Sequence, residues 1–217
     1  MQTIDLKLSY LKAAAVVMAK NDIRYYLNGI MIDVMPRAVR IVSTDGHRLV
    51  VFHSELALED GAADLVPAQI IIPGEVLKGL KARHKNLQFL SLQFNESAPM
   101  DACTLAGCDG ADKIFKPIDA KYPDYSRVMP NSRPTGEKAY FNPHYVSDMA
   151  EVVRIALDRK AGDLKCFPSV YHNGNGTAPV MYDGLPEFYG ALMPMRWSDP
   201  EWECPNWLAA APVDKAA

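Results

Sequence analysis

The chain has 217 residues, which at roughly 100–200 residues per domain predicts one large domain or two small ones. Apolar residues make up 49% of it and charged residues 23%, as in an ordinary globular protein, and this excludes disorder, collagen and coiled coil. The net charge of −3 and the pI near 5.9 argue against a protein that grips nucleic acid over its whole surface, but they allow a local basic stripe.

The sequence also predicts where the protein resides. The longest uncharged stretches are interrupted by Pro, Gly or polar residues, so we expect none of them to span a bilayer. The first ten residues, MQTIDLKLSY, lack the charged leader and apolar run of a signal peptide. We therefore expect a cytoplasmic protein with reduced thiols at its four cysteines, Cys103, Cys108, Cys166 and Cys204.

The first predicted elements are a strand, a helix and three further strands. Residues 2–8 alternate apolar and polar side chains, as on a half-buried strand. Ser9 is a suitable N-cap for a helix over residues 10–20. Strands are then predicted over residues 24–33, 38–44 and 47–54. The pair Asp45-Gly46 between the last two indicates a β-hairpin.

The same order of elements recurs twice. In the second pass, a strand over residues 68–72 precedes a short amphipathic helix over residues 74–83. Three strands follow, over residues 87–94, 102–105 and 113–118. In the third pass, a strand over residues 139–141 leads to Asn142 and Pro143, which suit the N-cap and first position of a helix that runs to about residue 159. Its strands are predicted over residues 166–171, 178–182 and 188–194.

We therefore predict three strand–helix–strand–strand–strand units, a structural repeat in pattern rather than in sequence identity. Residues 128–137 are rich in Pro, Ser and Gly and are typical of a linker. Residues 198–217 lose all periodicity and form a tail. Its Trp202, Trp207 and Leu208 would make an exposed apolar patch, which normally marks a contact. We expect this tail to cover a neighbouring groove or to dock on another subunit.

Signals for catalysis or metal binding are weak. Cys103 and Cys108 have the spacing C-x4-C without a second pair or a nearby His, whereas zinc sites use four ligands. The sequence contains no nucleophile elbow, no P-loop and no dinucleotide-binding glycine motif. We expect no catalytic site, no metal and no cofactor.

Lysines on the predicted helices are candidates for phosphate contact. Lys78, Lys81 and Lys85 recur at i, i+3 and i+7, so they form one stripe on the second predicted helix. Lys12 and Lys20 lie in one sector of the first. No aromatic residues interleave with these charges, so base stacking is not expected. The pattern predicts electrostatic contacts with duplex DNA that do not depend on its sequence. The third predicted helix carries mixed charges, which indicates a solvated face.

Three stretches of the sequence resemble a known family. They are DIRYYLNG (22–29) with TDGHRL (44–49), YPDYSRVMP (122–130) and LMPMRW (192–197). In this order they resemble the bacterial sliding clamp, the beta subunit of DNA polymerase III. Residues 1–130 resemble its middle domain, with two strand–helix units. Residues 138–197 resemble the second half of its C-terminal domain, with one unit, and the family's first domain has no counterpart here.

The resemblance implies an α+β fold of the DNA-clamp type, in which helices on one face of antiparallel sheets line a DNA-sized hole. It implies a DNA replication protein, a non-catalytic processivity factor that tethers DNA polymerase and other proteins with a clamp-binding motif to duplex DNA. The alternative is a peptide- or protein-interaction module that does not encircle DNA. The sequence does not separate these two functions.

The resemblance also implies a pocket for a partner peptide between the middle and C-terminal domains. Carried over residue by residue, that pocket consists of Arg24, Leu27, Thr44, Gly46, His47, Arg48, Leu49, Pro123, Arg127, Val128, Met193, Pro194, Met195 and Arg196. The residue types agree with such a role. Leu, Val and Met side chains form a soft apolar groove, in which Met adapts to varied peptides, and Arg supplies a polar edge.

Three units amount to one and a half clamp domains, so the third unit lacks the unit that would complete its domain. We expect it to present open sheet edges and an apolar helix face, and unpaired edges invite pairing with another chain. This predicts a homo-oligomer. The simplest form is a two-fold dimer, and two such dimers could close a tetrameric ring.

Overall fold

The computed structural model describes residues 1–56, 64–84, 86–129, 133–160 and 165–196. Eleven strands and three α-helices lie within these ranges. In chain order they are β1 (Gln2–Lys7), α1 (Leu8–Val17), β2 (Gly29–Met35), β3 (Ala38–Thr44), β4 (Arg48–Glu55), β5 (Ala68–Pro73), α2 (Gly74–Leu77), β6 (Phe89–Phe94), β7 (Cys103–Ala106), β8 (Lys113–Phe115), α3 (Pro143–Ala156), β9 (Ser169–Val170), β10 (Ala178–Met181) and β11 (Phe188–Leu192). No helix in these ranges has the length and apolar character needed to cross a membrane.

The strands form two antiparallel sheets. The smaller sheet has the order β1-β6-β7-β8 and the larger sheet the order β5-β2-β3-β4-β11-β10-β9. β1 of the first unit pairs with β6 of the second, and β5 of the second unit pairs with β2 of the first. The first two units therefore exchange their leading strands. The predicted α+β class, with helices on antiparallel sheets, is confirmed.

The third unit joins the first through a strand pair and a helix pair. β11 pairs with β4, which places Ala191 opposite Leu49. On the inner face of the sheet, α3 packs against α1. Ser9 Oγ in α1 donates a hydrogen bond to the carbonyl of Ala156 in α3 across 3.1 Å. Sheet and helix layer are thus both continuous across the joint between the two units.

The apolar face of α3 is covered. Met149, Val152 and Val153 are fully buried, in the same core as α1 and the inner faces of both sheets. The expectation that the third unit presents an apolar helix face to a second copy is therefore wrong, because α1 of the same chain occupies that position. The strands that end the two sheets are β1, β8, β5 and β9, and strand pairing with a second copy stays a prediction.

A second, smaller core lies on the outer face of the larger sheet. Alternation along β2 directs Ile30 to the inner core and Met31 to the outer one. After β8, residues 116–129 cross this outer face, and we call them the connector. Tyr122 and Tyr125 of the connector are buried against the sheet. The connector thereby forms a ridge beside the joint between β4 and β11.

The bounds of several elements differ from the sequence prediction, and the strand expected over residues 139–141 is replaced by a single isolated bridge between Tyr140 and Met195. α1 begins at Leu8, with Lys7 at the N-cap position, and ends at Val17 instead of residue 20. Ser9 lies inside the helix, and its hydroxyl bonds across to α3 instead of capping α1. The strand expected from residue 24 begins only at Gly29, since Tyr25–Asn28 form a 3-10 turn.

The second helix is much shorter than predicted. α2 ends at Leu77, because Lys78 leaves the helical conformation with φ −62° and ψ 125°. Gly79 follows in the left-handed region at φ +63°, where glycine has no steric penalty. The predicted helical stripe of Lys78, Lys81 and Lys85 is therefore wrong, and Lys85 lies outside the described residues.

The shared core predicts the effect of truncation in α3. Met149→Ala removes a fully buried side chain at the joint and should lower the free energy of unfolding by about 2–5 kcal/mol. Val146→Ala, on the exposed side of the same helix, should change it by less than about 0.5 kcal/mol. Urea unfolding followed by circular dichroism measures both values. Two separate unfolding transitions, with only one displaced by Met149→Ala, would contradict a common core.

Candidate functional site

An apolar groove of about 190 Å³ lies where the first unit, the connector and the third unit meet. It is lined by Arg24, Tyr26, Leu27, Thr44, Gly46, Arg48, Leu49, Pro123, Asp124, Tyr125, Val128, Thr177, Ala191 and Met193. Of the residues predicted for a peptide pocket, the structure brings together Arg24, Leu27, Thr44, Gly46, Arg48, Leu49, Pro123, Val128 and Met193. Three stretches that are distant in the sequence therefore form one concave surface.

The groove has a buried apolar floor and an exposed apolar rim. Leu27 and Leu49 are buried, and Ala191 lies beside Leu49 across the β4–β11 pair. Val128 on the connector is 37% exposed and Met193 after β11 is 49% exposed. Large apolar side chains left in water around a cavity are typical of a surface that another molecule covers.

The turn between β3 and β4 forms the polar end of the groove. Thr44 Oγ1 accepts a hydrogen bond from the N–H of Gly46 at 3.0 Å and donates one to the carbonyl of Arg48 at 2.6 Å. Asp45 Oδ1 accepts from the N–H groups of His47 and Arg48 at 2.9 and 3.1 Å. These four bonds fix the backbone of the turn, so its side chains project from a rigid support.

Arg24 forms a fixed cation over this turn. Its Nε and Nη2 donate to the two carboxylate oxygens of Asp22 at 3.0 and 2.8 Å, and Nη2 also donates to the carbonyl of Asp45 at 3.0 Å. A Cβ added at Gly46 would lie 2.7 Å from Arg24 Nη1, and Gly46 has φ +90°. Glycine is thus required here both by the backbone conformation and by the close approach of the guanidinium.

Arg48 is the second cation of the groove and is held from two directions. Its Nε donates to Asp45 Oδ2 at 3.1 Å, and its Nη1 is paired with Asp148 of α3. The guanidinium carbon lies 4.6 Å from the centre of the Tyr145 ring, also on α3. Arg48 therefore connects the groove in the larger sheet to a helix of the third unit.

Five predicted residues lie outside the groove lining. His47 faces the helix side, where its ring stacks on Tyr145 with centres 5.9 Å apart. Arg127 is exposed on the connector. Pro194, Met195 and Arg196 follow after the chain has passed the groove, and the N–H of Met195 donates to the carbonyl of Tyr140 at 2.7 Å. These residues were expected in the groove, and the structure places them beside it.

The groove also contains residues that the sequence prediction missed, namely Tyr26, Asp124, Tyr125, Thr177 and Ala191. One of them had a usable signal: alternation along an extended chain places Ala191 on the same face as Met193. Tyr125 is positioned by the connector, where its hydroxyl donates to Asp33 Oδ2 at 2.7 Å. Thr177 precedes β10 in a turn, and nothing in its local sequence indicates a groove.

Four of the predicted DNA-facing lysines surround α1 on the helix side. Lys12 and Lys20 line one concavity of about 660 Å³. Lys12 and Lys81 line a second of about 540 Å³, and Lys20 and Lys78 a third of about 580 Å³. All four side chains are exposed. They are therefore neighbours, although it is the packing beside α1 that brings them together and not a helical repeat.

Both cysteines in the second unit are buried. Cys103 Sγ donates to the carbonyl of Asp101 at 3.5 Å and Cys108 Sγ to that of Leu105 at 3.3 Å. Burial raises the pKa of the Cys103 thiol to about 11, so it stays protonated at neutral pH. In the part of the chain that the structure describes, no group of three or more His, Cys, Asp or Glu side chains could hold a metal ion.

Comparison with known proteins identifies the family. The model of the DNA polymerase III beta subunit, central domain, matches residues 5–124. The chain belongs to this family. It is 35% identical over 114 residues to the beta sliding clamp of Vibrio cholerae and 33% identical over 115 residues to that of Pseudomonas putida. These matches cover 52% of this chain but only 28% and 29% of the relatives.

Solved structures extend the likeness in fold beyond the region that the family model matches. The DNA polymerase III subunit beta from Pseudomonas aeruginosa aligns with a TM-score of 0.64 at 19% identity, over 91% of this chain and 67% of that chain. The beta subunit from Thermotoga maritima aligns with a TM-score of 0.60 at 12% identity, over 90% and 66%. The DNA-clamp fold predicted from the sequence is confirmed.

The Asp22–Arg24 pair predicts a pH dependence at the groove. Hydrogen bonds from Arg24 lower the pKa of Asp22 from 3.8 to about 2. Because the pKa is lowered in the folded state, the pair favours folding above pH 3.8 and this contribution is lost as the pH falls through about 2. Carboxyl ¹³C NMR should show that titration, and Arg24→Ala should return the pKa towards 3.8. Titration near 3.8 in the unmodified protein would show that Arg24 is not held.

Proposed function

We propose that the protein is a cytoplasmic, clamp-like processivity factor of DNA replication without catalytic activity. Its groove would hold a short apolar peptide of a DNA polymerase or another partner while its helix side faces duplex DNA. The groove carries the proposal, because residues from three stretches that resemble the family meet around one apolar cavity. Membership of the beta-subunit family supports it.

The size and chemistry of the groove suit a peptide. Its volume of about 190 Å³ is below the ~300–1,000 Å³ of common small-molecule sites, so it accommodates one or two apolar side chains. The exposed Met193 can adjust to different side chains, and Arg24 and Arg48 supply polar contacts at one end. We expect micromolar affinity, about −8 kcal/mol, for a peptide of the Gln-Leu-x-Leu-Phe type.

The helix side suits duplex DNA without base readout. Lys12, Lys20, Lys78 and Lys81 are exposed around α1, and lysines bind phosphates as point charges. Acidic neighbours such as Asp158 in the second concavity keep this side from being strongly basic, which agrees with weak, sliding contact. The proposal includes a homo-oligomer, a dimer or a tetrameric ring, in which strands that end the sheets would pair between copies.

The proposed division of the chain follows the same logic. Residues 1–130 would correspond to the middle domain of a clamp, with two strand–helix units, and residues 138–197 to half of the C-terminal domain. The linker residues 130–132 and the tail 198–217, including Trp202 and Trp207, lie outside the described residues. The role of the tail as a cover for the groove or a contact between subunits remains a prediction.

Peptide binding can be tested with two methionine variants. Met193→Glu places a charge at the groove and should weaken binding of a fluorescent Gln-Leu-Ser-Leu-Phe peptide by more than about tenfold, or 1.4 kcal/mol. Met195→Glu is the control, because Met195 has a similar exposure, 46% against 49%, but lies outside the groove. Fluorescence anisotropy gives both affinities. Equal loss in both variants, or none in either, would show that the groove is not the peptide site.

DNA contact predicts a salt dependence that follows the lysines around α1. Replacing Lys12 and Lys81 by Ala should reduce the slope of log affinity against log salt by about 0.9 per lost phosphate contact. The matched control replaces Lys116 and Lys121, which lie in the connector. Filter binding to duplex DNA at several salt concentrations measures the slopes. Unchanged slopes for both pairs would favour the alternative function, an interaction module that does not encircle DNA.

A further inference from the structure

One ion pair links the groove to a helix that does not line it. Arg48 lines the groove on one side and the concavity beside α1 on the other. Its partner Asp148 lies 100 residues later in the chain, on α3 of the third unit. Asp148 itself lines the helix-side concavity and is not part of the groove lining.

We propose that Asp148 is a positioning residue of the groove and that it acts through Arg48. The proposal rests on the function proposed above and adds to it that α3 determines the shape of the polar end of the peptide site. Asp148 would not touch the peptide. It would hold the guanidinium of Arg48 in one orientation while the peptide contacts the groove side of that residue.

Burial explains why Arg48 needs this second carboxylate. Only 10% of the Arg48 side chain is exposed, and a buried guanidinium requires partners for its donors. Asp45 satisfies Nε through Oδ2, while its Oδ1 is already committed to two backbone N–H groups of the turn. Asp148 takes the donor at Nη1, so its loss leaves that end of the guanidinium without a carboxylate.

The ring of Tyr145, next to Asp148 on α3, also holds the guanidinium of Arg48 in place. Tyr145 and Asp148 are three residues apart on α3 and therefore lie on one side of the helix. The Tyr145 ring contacts the guanidinium of Arg48 on its face and stacks on the ring of His47. A cation over an aromatic face in a partly buried place is attracted by the ring. Two side chains of α3 thus hold two successive residues of the turn between β3 and β4.

Hydrogen bonds to the backbone of Arg48 and of its neighbour His47 connect this part of the turn to other residues of the groove. The carbonyl of Arg48 accepts from Thr44 Oγ1, and Thr44 lines the groove. The carbonyl of His47 accepts from the N–H of Met193 at 2.9 Å, and Met193 forms the exposed rim. These bonds connect the turn to the rim, so a change in the orientation of the Arg48 guanidinium should change the surroundings of Met193 at the polar end of the groove.

The test compares two carboxylates on the same helix. Asp148→Asn should weaken binding of the fluorescent Gln-Leu-Ser-Leu-Phe peptide by about tenfold, within the range of coupling between neighbouring residues. Glu151→Gln is the control, since Glu151 pairs with Arg154 at 2.5 Å on α3 and does not line the groove. Asp148→Glu keeps the charge and should restore most of the affinity. Equal losses for Asp148→Asn and Glu151→Gln would overturn the proposal.

A double-mutant cycle separates positioning from general stability. In an Arg48→Met background, Asp148→Asn should have no further effect on peptide affinity, because the residue through which it acts is gone. If the two losses simply multiply, Asp148 acts by another route and the proposal is wrong. Thermal unfolding of the same variants gives their stabilities, and losses of affinity that simply follow the losses of stability would also overturn the proposal.

One readout does not depend on peptide binding. In a ¹³C-methyl NMR spectrum of the free protein, Asp148→Asn should shift the Met193 methyl signal, and Glu151→Gln should leave it in place. A shift without any peptide affinity in the unmodified protein would contradict the proposed function while supporting the role of Asp148. An unshifted Met193 signal would overturn that role even if the peptide binds.

Discussion

The pairing of β4 with β11 is the contact on which the rest of the structure depends. It extends the larger sheet from the first unit into the third and carries α3 onto α1. Without it, Met149 and its neighbours on α3 would lose their cover, and β9, β10 and β11 would be a short isolated sheet. The same pairing places Ala191 beside Leu49 and carries Met193 to the rim of the groove. The fold and the candidate site therefore both depend on the pairing of β4 with β11.

The individual strands of this sheet could be predicted from the sequence, but their partners could not. The strand over residues 38–44 matches β3 because alternating apolar residues and the Asp45-Gly46 turn both define it. Pairings such as β1 with β6 and β4 with β11 join residues distant in the chain. The alternation of apolar and polar residues shows which face of a strand is buried, but it does not show which strand lies beside it. The sequence therefore predicted an incomplete third unit, whereas in the structure α1 of the same chain covers the apolar face of α3.

Helix length was overestimated where backbone conformation overrides apolar spacing. Residues 74–83 have a helical pattern, yet the chain leaves the helix at Lys78 and continues through Gly79 in the left-handed region. Without that helix, the predicted lysine stripe does not form. Lys78 and Lys81 nevertheless lie near α1, on the side expected to face DNA, because the residues after α2 pack beside α1.

The groove was predicted in outline because its residues sit in stretches that resemble the family, and its details depend on contacts across the joint. Met193 and Met195 are two residues apart and similarly exposed, but strand β11 ends at Leu192 and the chain then turns toward Tyr140. Only the folded structure shows that one lines the groove and the other does not. The role of Asp148 is equally invisible in the sequence, since its partner Arg48 is separated from it by 100 residues.

One groove is assembled from the first unit, the third unit and the connector. Hydrogen–deuterium exchange with and without the Gln-Leu-Ser-Leu-Phe peptide tests it most directly, because backbone amides report each segment separately. We predict slower exchange in the presence of peptide in three segments at once, the turn between β3 and β4, the connector near Val128, and the end of β11. Protection confined to a single segment, or found only at the strands that end the sheets, would contradict this account.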